Sequence, residues 1–502
     1  MFACCYRNRD YCNGGYDMYL QYRNVIFLEI FCNCKIISTF AFKNSNSNYG
    51  NCRYYLSQTK QDNMKFYDRE KELQMLHDVE TATHEGSRMT VLVGRRRIGK
   101  TKLLLRAFEG KPSIYFFVSR KSESILCGQF VEEAERKLGM PIGAYHRLAD
   151  LLEHLMRLSQ SMPFTLIIDE FQELLNIDAS IIGDIQRVWD LNRDRSRLNL
   201  LLSGSVYSMM HRIFEDNKEP LFSRASNIMH LHAFRTDVLK EILQDHNARY
   251  TNEDLLALYT FTGGVAWYVE LLMDAKAFTY KKMVDAIFRE NSLFINEGKN
   301  LLIEEFGKDY SIYFSILECI ARGVNTRGEI TAAVGLNEIG GYLSRLENSY
   351  SIIRQMRPIF SKPSTKIVRY YIADNFLTFW FRFFHKYMNY IESGSIELLK
   401  QTFLRDYPTF SGTILERYFR QKARESGQYT TIGNYWDRKG EHEIDLILVN
   451  ELDKTVKIGE VKRQARNISH TLLQYKADYF ITLYPQLQSY QKELVMLDLR
   501  DM

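Results

Sequence analysis

The sequence predicts an α/β fold built around a parallel sheet that is flanked by helices. From residue 64 onward, helical apolar patterns alternate with short runs of aliphatic and β-branched residues, and this alternation is typical of βα units in a parallel sheet. A glycine-rich segment that ends in lysine and threonine directly follows the first run, and two acidic residues close the third. Sheets of this class place ligands at the carboxyl ends of their strands, so we expect both segments at one edge.

Five runs are predicted as strands because each is short, apolar and bounded by polar or turn residues. They are 90–93, 114–118, 164–168, 199–202 and 227–231. The chain has 502 residues, enough for three domains at roughly 150 residues each. Hydrophobic residues make up 45% and charged residues 25%, as in globular proteins, and a net charge of +5 does not by itself indicate a nucleic-acid partner.

The first 63 residues differ from the rest of the chain. They hold six of the eight cysteines, are rich in Asn and Tyr, and show no clear periodicity. We expect an unpatterned extension over 1–63, and one hypothesis is that the native protein starts at Met64. The apolar run 25–42 contains Glu29 and Lys35, so no membrane span is expected. Because cysteine is scarce after residue 63, the body of the protein is expected to be reduced and cytoplasmic.

The segment after the first predicted strand fits the phosphate-binding pattern G-x-x-x-x-G-K-[ST]. Its residues are Gly94, Arg95, Arg96, Arg97, Ile98, Gly99, Lys100 and Thr101. The glycines let backbone N–H groups turn toward phosphates, Lys100 is expected to reach the outer phosphates, and Thr101 is expected to ligate Mg²⁺. A helix beginning near Lys100 adds its positive end. The pattern therefore predicts binding of a nucleoside triphosphate.

Acidic and small polar residues follow the later strands of the same predicted sheet. We expect Asp169 to hold a metal-bound water and Glu170 to polarise the water that attacks the γ-phosphate. Ser203 and Ser205 follow the fourth strand, where a γ-phosphate could be sensed. Arg224 precedes the fifth strand, and it either stabilises charge on the transferred phosphoryl group or is a solvated surface arginine.

Five segments in this order resemble the archaeal-type P-loop ATPases of the AAA+/STAND group. They are YDREKEL at 67–73, GRRRIGKT at 94–101, LIIDEF at 166–171, LLSGS at 201–205 and PLFSR at 220–224. The resemblance runs from about residue 64 to the C-terminus and implies an ATPase that uses ATP and Mg²⁺. It also implies that Asp68 and Arg69 lie near the nucleotide, as adenine-side or structural residues. From its side chain alone, Asp68 is predicted to cap the following helix.

After the core, the pattern is helical over 236–307, and the resemblance implies a nucleotide-responsive lid there. Similar proteins carry Gly-Gly-x-Pro at the start of a lid helix. Here Gly263 and Gly264 are kept, but Ala266 replaces the proline, so the rigidity of this turn is open.

The next region, 308–375, has the element order of a winged helix, and the resemblance implies one at this position. The predicted elements are helices at 311–321, 327–334 and 339–348 and strands at 352–354 and 368–372. Its basic residues are Arg345, Arg354, Arg357, Lys362, Lys366 and Arg369. They either contact DNA phosphates or belong to a module that packs inside the protein.

The final region, 376–502, carries acids and a lysine in an arrangement suited to phosphodiester chemistry. Glu416 lies in a predicted helix, Asp445 in a predicted strand, and Glu460 and Lys462 on one face of the next strand. Asp445 and Glu460 could hold Mg²⁺, and Lys462 could position or activate a water. This set resembles the PD-(D/E)xK nuclease fold. Such a domain either cleaves DNA or only binds it.

The predicted fold class is thus a parallel-sheet P-loop NTPase core, at 64–235, with a helical lid, a winged helix and a restriction-endonuclease-like α/β domain. The first functional hypothesis is an Mg²⁺-dependent ATPase whose nucleotide state controls a nuclease-like domain that acts on DNA. The second is a STAND-type signalling switch that binds ATP and assembles with protein partners without cleaving DNA. A homo-oligomer is required if Arg224 acts on a neighbouring subunit.

Overall fold

The computed structural model describes residues 64–205, 207–306 and 309–502. Its first sheet consists of β1 Arg88–Val93, β2 Ser113–Phe117, β3 Phe164–Asp169, β4 Leu198–Gly204 and β5 Asn227–His230. All neighbours are parallel, in the order β2-β3-β4-β1-β5. The predicted parallel sheet is therefore confirmed. Because only β4 separates β1 from β3, the loops after these two strands leave the same edge close together.

Helices cover this sheet on both faces. They are α1 Glu70–Ala82, α2 Lys100–Ala107, α3 Glu123–Leu138, α4 Leu148–Leu158, α5 Leu174–Ile177, α6 Ser180–Asn192 and α7 Tyr207–Glu215. Successive strand residues enter different hydrophobic clusters: Leu92 packs in one, whereas Val91 and Val93 pack in the other. Side chains alternate along a strand, so a sheet buried on both faces needs almost uninterrupted apolar strands, as the sequence has.

Five helices follow the core: α8 Thr236–His246, α9 Asn252–Thr262, α10 Ala266–Asp274, α11 Tyr280–Ile287 and α12 Leu293–Phe306. Every residue of α9 from Asp254 to Thr262 is buried, so this helix lies at the centre of the lid. It begins with a capping box in which Thr251 and Asp254 exchange side-chain and backbone hydrogen bonds. The predicted helical character of this region is confirmed.

The next elements are α13 Tyr310–Ala321, α14 Arg327–Val334, α15 Gly340–Ser344, β6 Ile353–Met356 and β7 Arg369–Ile372. The two strands pair antiparallel. Three helices followed by two strands is the element order predicted for a winged helix. The segment between them packs on the C-terminal domain: Ile359 N donates to Asn434 O at 2.9 Å, and Arg369 donates to Glu443 at 2.6 Å over the ring of Trp436. Of the six basic residues, Arg369 is thus engaged inside the protein.

The remaining helices are α16 Asn375–Trp380, α17 Met388–Glu392, α18 Ile396–Ser426 and α19 His470–Leu483. The remaining strands are β8 Thr431–Tyr435, β9 Ile444–Asn450, β10 Thr455–Val461 and β11 Gln491–Leu497. They form a mixed sheet in the order β11-β10-β9-β8, in which only β10 and β11 are parallel. The C-terminal α/β domain is therefore present, with α18 and α19 packed on its sheet.

Apolar packing runs across the predicted domain boundaries. One cluster contains Leu103 from the core, Leu256 from the lid, Ile353 from β6 and Tyr418 from α18. The boundaries at 235, 307 and 375 remain predictions about sequence modules. The extension 1–63 and the hypothesis about a start at Met64 lie outside the described residues. Among the described helices, none combines the length and apolar character that crossing a bilayer requires.

Candidate functional site

The loop between β1 and α2 needs glycine at both of its ends. A Cβ on Gly94 would lie 2.9 Å from the carbonyl oxygen of Leu231, closer than real Cβ atoms approach backbone. Gly99 has φ of 98° and is the N-cap of α2, a left-handed conformation that favours glycine. These two constraints bend the chain so that α2 begins at Lys100, beside the carboxyl end of β1.

The side chain of Lys100 lies inside this loop. The residue is 6% exposed, and its Nζ donates to Gly94 O at 2.7 Å and to Arg95 O at 3.3 Å. Burial lowers the pKa of Lys100 to about 8, although Glu170 and Asp169 act in the opposite direction. Phosphate oxygens can replace the two carbonyl acceptors and would stabilise the ammonium further. Lys100 therefore fits its predicted role.

Thr101 and Asp169 meet as predicted. Thr101 Oγ1 donates to Asp169 Oδ2 at 2.7 Å, and Tyr115 donates to the same oxygen at 2.7 Å. The backbone N–H of Glu170 donates to Asp169 Oδ1 at 3.0 Å. A hydroxyl beside an oriented carboxylate matches the hard oxygen ligands and water-mediated contacts that Mg²⁺ prefers. Tyr115 was not predicted, because a tyrosine in an apolar strand carries no signal of its partner.

Glu170 occupies a left-handed backbone conformation with φ of 56°. Its Oε2 accepts hydrogen bonds from Gln172 Nε2 at 2.5 Å and from Ser205 Oγ at 2.7 Å. Ser205, predicted to sense a phosphate, thus contacts the predicted catalytic carboxylate. Ser203 is fully buried. Gln172 was missed, since a glutamine two residues after an acid pair has no distinctive pattern.

These groups surround one cavity of about 370 Å³. Its wall consists of Met64, Lys65, Phe66, Tyr67, Arg69, residues 96–103, Asp169, Glu170, Ser205, Phe234, Ala266, Trp267 and Glu270. The lining combines polar groups of the loop and of β3 with the aromatic residues Phe66, Tyr67, Phe234 and Trp267. Such a combination suits a ligand with a charged phosphate chain and a planar base.

Arg69 also lines this cavity, and the residue is 5% exposed. It donates to His232 O at 2.7 Å and to Glu72 at 3.3 Å, and its guanidinium lies 5.2 Å from the ring centre of Phe234. The predicted helix cap at Asp68 is wrong. Asp68 has φ of 58°, outside the extended region that a capping residue uses, and the N-cap of α1 is Arg69, which makes no side-chain cap.

Two arginines of the loop contact protein groups. Arg95 pairs with Asp374, and burial lowers the pKa of Arg95. Arg97 Nε donates to Glu297 at 3.1 Å, and its guanidinium lies 4.0 Å from the ring centre of Trp267. These contacts engage the side chains of Arg95 and Arg97, while Arg96 and Arg97 both line the cavity. Binding of the cofactor by the eight loop residues stays a prediction.

The lid helix α10 begins at Ala266 despite the missing proline. The turn before it depends on Gly264, which has φ of 75° and whose Cβ would lie 2.6 Å from Phe234 O. Trp267 N donates to Arg97 O at 3.2 Å, so the start of α10 rests on the phosphate-binding loop. The open question about this turn is resolved in favour of a defined bend.

Arg224 does not reach this cavity in its own chain. Ser226 N donates to Met89 O near the amino end of β1, whereas the loop begins after the carboxyl end, about 16 Å away at 3.3 Å per residue. Arg224 itself donates to Phe222 O at 2.9 Å and pairs with Asp190 at 3.3 Å. Of the two alternatives, this position in its own subunit supports a surface arginine and not a phosphoryl contact, and a role on a neighbouring subunit stays a prediction.

Replacing Glu170 with glutamine is expected to separate binding from hydrolysis. The amide keeps the size of the side chain but cannot accept a proton, so turnover of ATP should fall by about 10² to 10⁴. Nucleotide affinity should stay within about twofold, because Lys100 and Thr101 are unchanged. Steady-state phosphate release and calorimetric titration measure the two quantities. Equal losses in both would show that Glu170 acts in binding.

A second group of charged residues lies in the C-terminal domain. Lys462 Nζ lies 3.0 Å from both Asp445 Oδ2 and Glu460 Oε1, so the two acids share one ammonium group. Lys476 Nζ, on α19, donates to Glu460 Oε2 at 3.0 Å. Burial opposes the charge on Lys462, but Asp445 and Glu460 outweigh it and raise its pKa. The predicted residues Asp445, Glu460 and Lys462 thus lie together, and Lys476 is a further member that was not predicted.

Glu416 faces the same group from α18. It lines a cavity of about 480 Å³ together with Lys462, Arg463, Thr413 and six other residues. Burial and the nearby Asp445 carboxylate raise the pKa of Glu416, while Arg420 and Lys462 oppose this rise. Two strand carboxylates, a helix carboxylate and one lysine thus lie in the same region, and their use as a divalent-cation site stays a prediction.

Two segments of the sequence match known protein families. Residues 66–272 match the model of an ATPase domain predominantly from Archaea, and residues 380–472 match the model of "Archaea bacterial proteins of unknown function". An uncharacterized protein of Methanocaldococcus jannaschii is 29% identical over 406 residues, which cover 79% of this chain and 87% of that protein.

Solved structures were compared as well. The Walker-type ATPase of Pyrococcus abyssi is 18% identical with a TM-score of 0.49, over 63% of this chain and 96% of that one. The ORC2 protein of Aeropyrum pernix is 17% identical with a TM-score of 0.44, over 68% and 96%.

Proposed function

Because this chain carries an archaeal-type P-loop ATPase domain at residues 66–272, we propose that it uses Mg²⁺-ATP to control a nuclease-like C-terminal site that acts on DNA. The observation that carries the proposal is the central lid helix α9, which contacts the surroundings of both sites. Its C-terminal end leads to Asp374, which pairs with Arg95 of the phosphate-binding loop, and its first turn carries Glu253, which pairs with Arg463 next to Lys462.

At its nucleotide end, α9 continues into Gly263 and Gly264, which pack against Phe234 and the backbone of Asn375. Asp374, immediately before Asn375, pairs with Arg95 of the phosphate-binding loop. At its other end, α9 presents Glu253. A phosphate-dependent movement of the loop therefore changes contacts at the end of α9.

Glu253 pairs with Arg463, the residue that follows Lys462. Arg463 also donates to Ser411 Oγ on α18 at 2.6 Å. Both members of the pair are partly shielded, with 21% of the Arg463 side chain and 29% of the Glu253 side chain exposed. Arg463 thus joins the lid, the lysine of the acidic site and the helix that carries Glu416.

A second connection joins the lid to α18. Glu425 accepts hydrogen bonds from Thr236 N at 3.0 Å and from Thr236 Oγ1 at 2.5 Å. Tyr259 of α9 donates to Gln421 at 2.6 Å. Since α18 is one continuous helix from Ile396 to Ser426, a displacement of the lid is transmitted to Glu416. Rigid helices that contact two sites are a physical route for coupling.

In the ATPase reaction, Lys100 and the loop N–H groups bind the phosphates, and Glu170 accepts the proton of the attacking water. Thr101 and Asp169 would hold Mg²⁺, which would offset the negative charge of the phosphates. Hydrogen bonds from Gln172 and Ser205 set the direction of the Glu170 carboxylate. These residues act by positioning the reacting groups and by stabilising charge, and these two effects supply most of the catalysis in phosphoryl transfer.

In the C-terminal site, Asp445 and Glu460 would hold a divalent cation that polarises a phosphodiester. Lys462 would orient the attacking water, and Glu416 would complete the oxygen shell. The exposed basic residues Arg354, Arg357, Lys362 and Lys366 are available to DNA phosphates, whereas Arg369 is engaged with Glu443. We therefore expect salt-sensitive binding of DNA.

The test combines the full chain with Mg²⁺, ATP and plasmid DNA, and measures ATP turnover, nicking and retention of DNA at two salt concentrations. Nicking, or salt-sensitive retention that changes with nucleotide, supports the proposal. ATP-dependent assembly of the protein without any DNA contact would instead favour a signalling switch. Absence of triphosphate binding would contradict both functions.

Replacing Glu253 with glutamine is expected to weaken the coupling between the two sites. A partly buried ion pair contributes about 1 kcal/mol, so any nucleotide-dependent change at the acidic site should fall by about fivefold. Hydrogen exchange of residues 460–467 with and without ATP measures this change. The control is Glu241→Gln, which removes an exposed pair with Lys65. The same nucleotide response in Glu253→Gln and Glu241→Gln would contradict this connection.

A further inference from the structure

Tyr115 places a hydroxyl at the metal end of the nucleotide site from a strand that forms no part of the phosphate-binding loop. It lies on β2, the edge strand paired with β3, where its Cα is opposite Ile167 and Phe117 is opposite Asp169. Its hydroxyl reaches along β3 and donates to Asp169 Oδ2 at 2.7 Å. Tyr115 is not among the residues that line the cavity, whereas Thr101 and Asp169 are.

The Asp169 carboxylate receives three hydrogen bonds. Thr101 and Tyr115 both donate to Oδ2 at 2.7 Å, and the Glu170 N–H donates to Oδ1 at 3.0 Å. Two donors on Oδ2 and one on Oδ1 fix the plane of the carboxylate, and Oδ1 keeps acceptor capacity for a metal-bound water. Without Tyr115, only Thr101 would hold Oδ2, and the carboxylate could turn toward Thr101 or the solvent.

We propose that Tyr115 is a positioning residue that holds Asp169 in the orientation needed for Mg²⁺. The inference rests on the proposed use of Mg²⁺ by Thr101 and Asp169. Hydrogen bonds to a metal ligand from residues that do not themselves touch the metal orient that ligand, and their loss typically costs 10- to 100-fold in metal affinity. For an aspartate that acts through a metal-bound water, we expect a loss of about tenfold.

The alternative is a structural role, in which the contact only satisfies the hydrogen-bonding capacity of a buried phenol. The structural and positioning roles differ in whether the effect on nucleotide binding depends on Mg²⁺. A structural role would lower folding stability and affect nucleotide binding with and without Mg²⁺ alike. A positioning role leaves metal-free nucleotide binding unchanged, because Lys100 and the loop bind phosphate directly. It changes only the Mg²⁺ concentration that the complex requires.

The test variant is Tyr115→Phe in the full chain, which keeps the ring and removes the hydroxyl. Calorimetry should find metal-free ADP affinity within about twofold of the unmodified protein. The Mg²⁺ concentration that half-saturates the ADP complex should rise about tenfold. The matched control is Tyr484→Phe, which removes a hydroxyl that donates to Ile359 O at 3.1 Å in the C-terminal domain and should leave both values unchanged.

A double variant distinguishes the route of the effect. In an Asp169→Asn background, Tyr115→Phe should cause no further change in Mg²⁺ dependence if the tyrosine acts through Asp169. If the unmodified protein responds to Mg²⁺ and Tyr115→Phe gives the same Mg²⁺ titration, the role inferred for Tyr115 is overturned, while the proposed use of Mg²⁺ stands. A loss of metal-free ADP affinity also overturns it. If the unmodified protein shows no Mg²⁺ response, both the inference and the proposed Mg²⁺ use fail.

Discussion

Replacing Lys100 with alanine is expected to remove triphosphate binding from a protein that stays folded. The ammonium would make at least two charge-assisted hydrogen bonds to phosphate oxygens, each contributing about 1.5–3 kcal/mol. Losing both corresponds to a fall in affinity of at least about a hundredfold. Calorimetric titration with ATP measures this fall directly.

Folding should survive this change because Lys100 is a buried cation whose acceptors are backbone carbonyls of its own loop. Burial disfavours the charge of Lys100 and lowers its pKa, so alanine removes a group whose desolvation is costly in the nucleotide-free protein. Thermal unfolding without nucleotide should therefore change little. Nucleotide should raise the unfolding temperature of the unmodified protein and leave that of Lys100→Ala unchanged.

The matched control is Arg106→Ala. Arg106 also lies on α2, but it does not line the nucleotide cavity, and its side chain is 58% exposed and pairs with Glu109. An exposed pair contributes little, so nucleotide affinity should change by less than about threefold. Comparable losses in Lys100→Ala and Arg106→Ala would mean that general positive charge, and not the loop geometry, attracts the ligand. Undiminished binding in Lys100→Ala would contradict the assignment of the nucleotide site.

Replacing Asp445 with alanine is expected to abolish metal-dependent DNA cleavage and leave ATP hydrolysis intact. Asp445 is 8% exposed and lies in β9, where it accepts hydrogen bonds from Val461 N at 2.9 Å and from Lys462 at 3.0 Å. Its loss removes one of two predicted metal ligands and leaves Lys462 paired only with Glu460. We expect cleavage to fall at least about a hundredfold, as for the loss of a metal-ligating group.

Asp445→Asn guards against a simple folding defect. The amide oxygen can still accept the hydrogen bond from Val461 N, while the charge that would bind metal is gone. Asp453→Asn, in the exposed turn between β9 and β10, is the surface control. Plasmid nicking with and without Mg²⁺, alongside ATP turnover, measures the effect. Persistent metal-dependent cleavage by purified Asp445→Ala would remove the nuclease assignment, and loss of ATP turnover would show that the two sites are not separable.

Local sequence predicted the core sheet and the phosphate-binding loop well because their signals are local. A buried parallel strand must be apolar throughout, and a loop that turns N–H groups inward needs glycine at fixed places. Lys100, Thr101 and Asp169 therefore lie together as predicted. Glu460, near the end of β10, and Lys462, just after it, also lie on the same side of the chain, as alternation along a strand predicts.

The predictions that need correction concern residues whose role depends on where the backbone and the side chain point. Arg224 was placed correctly before β5, but only the register of β5 on β1 shows that it enters from the opposite edge of the sheet. Asp68 has a capping side chain, yet its positive φ prevents its use as a cap. Arg95 and Arg97 fit the loop pattern, but their side chains bind Asp374 and Glu297, far away in sequence.

The sequence by itself determined the fold class, the nucleotide loop and the residue types of the acidic C-terminal site, because each follows from periodicity or from neighbours a few positions away. Tertiary structure alone decided that Tyr115 and Gln172 hold the two acids, that Arg369 faces inward, and that Glu253 meets Arg463. These contacts join residues from separate elements. Their formation depends on how helices and strands pack, and no local pattern encodes that packing.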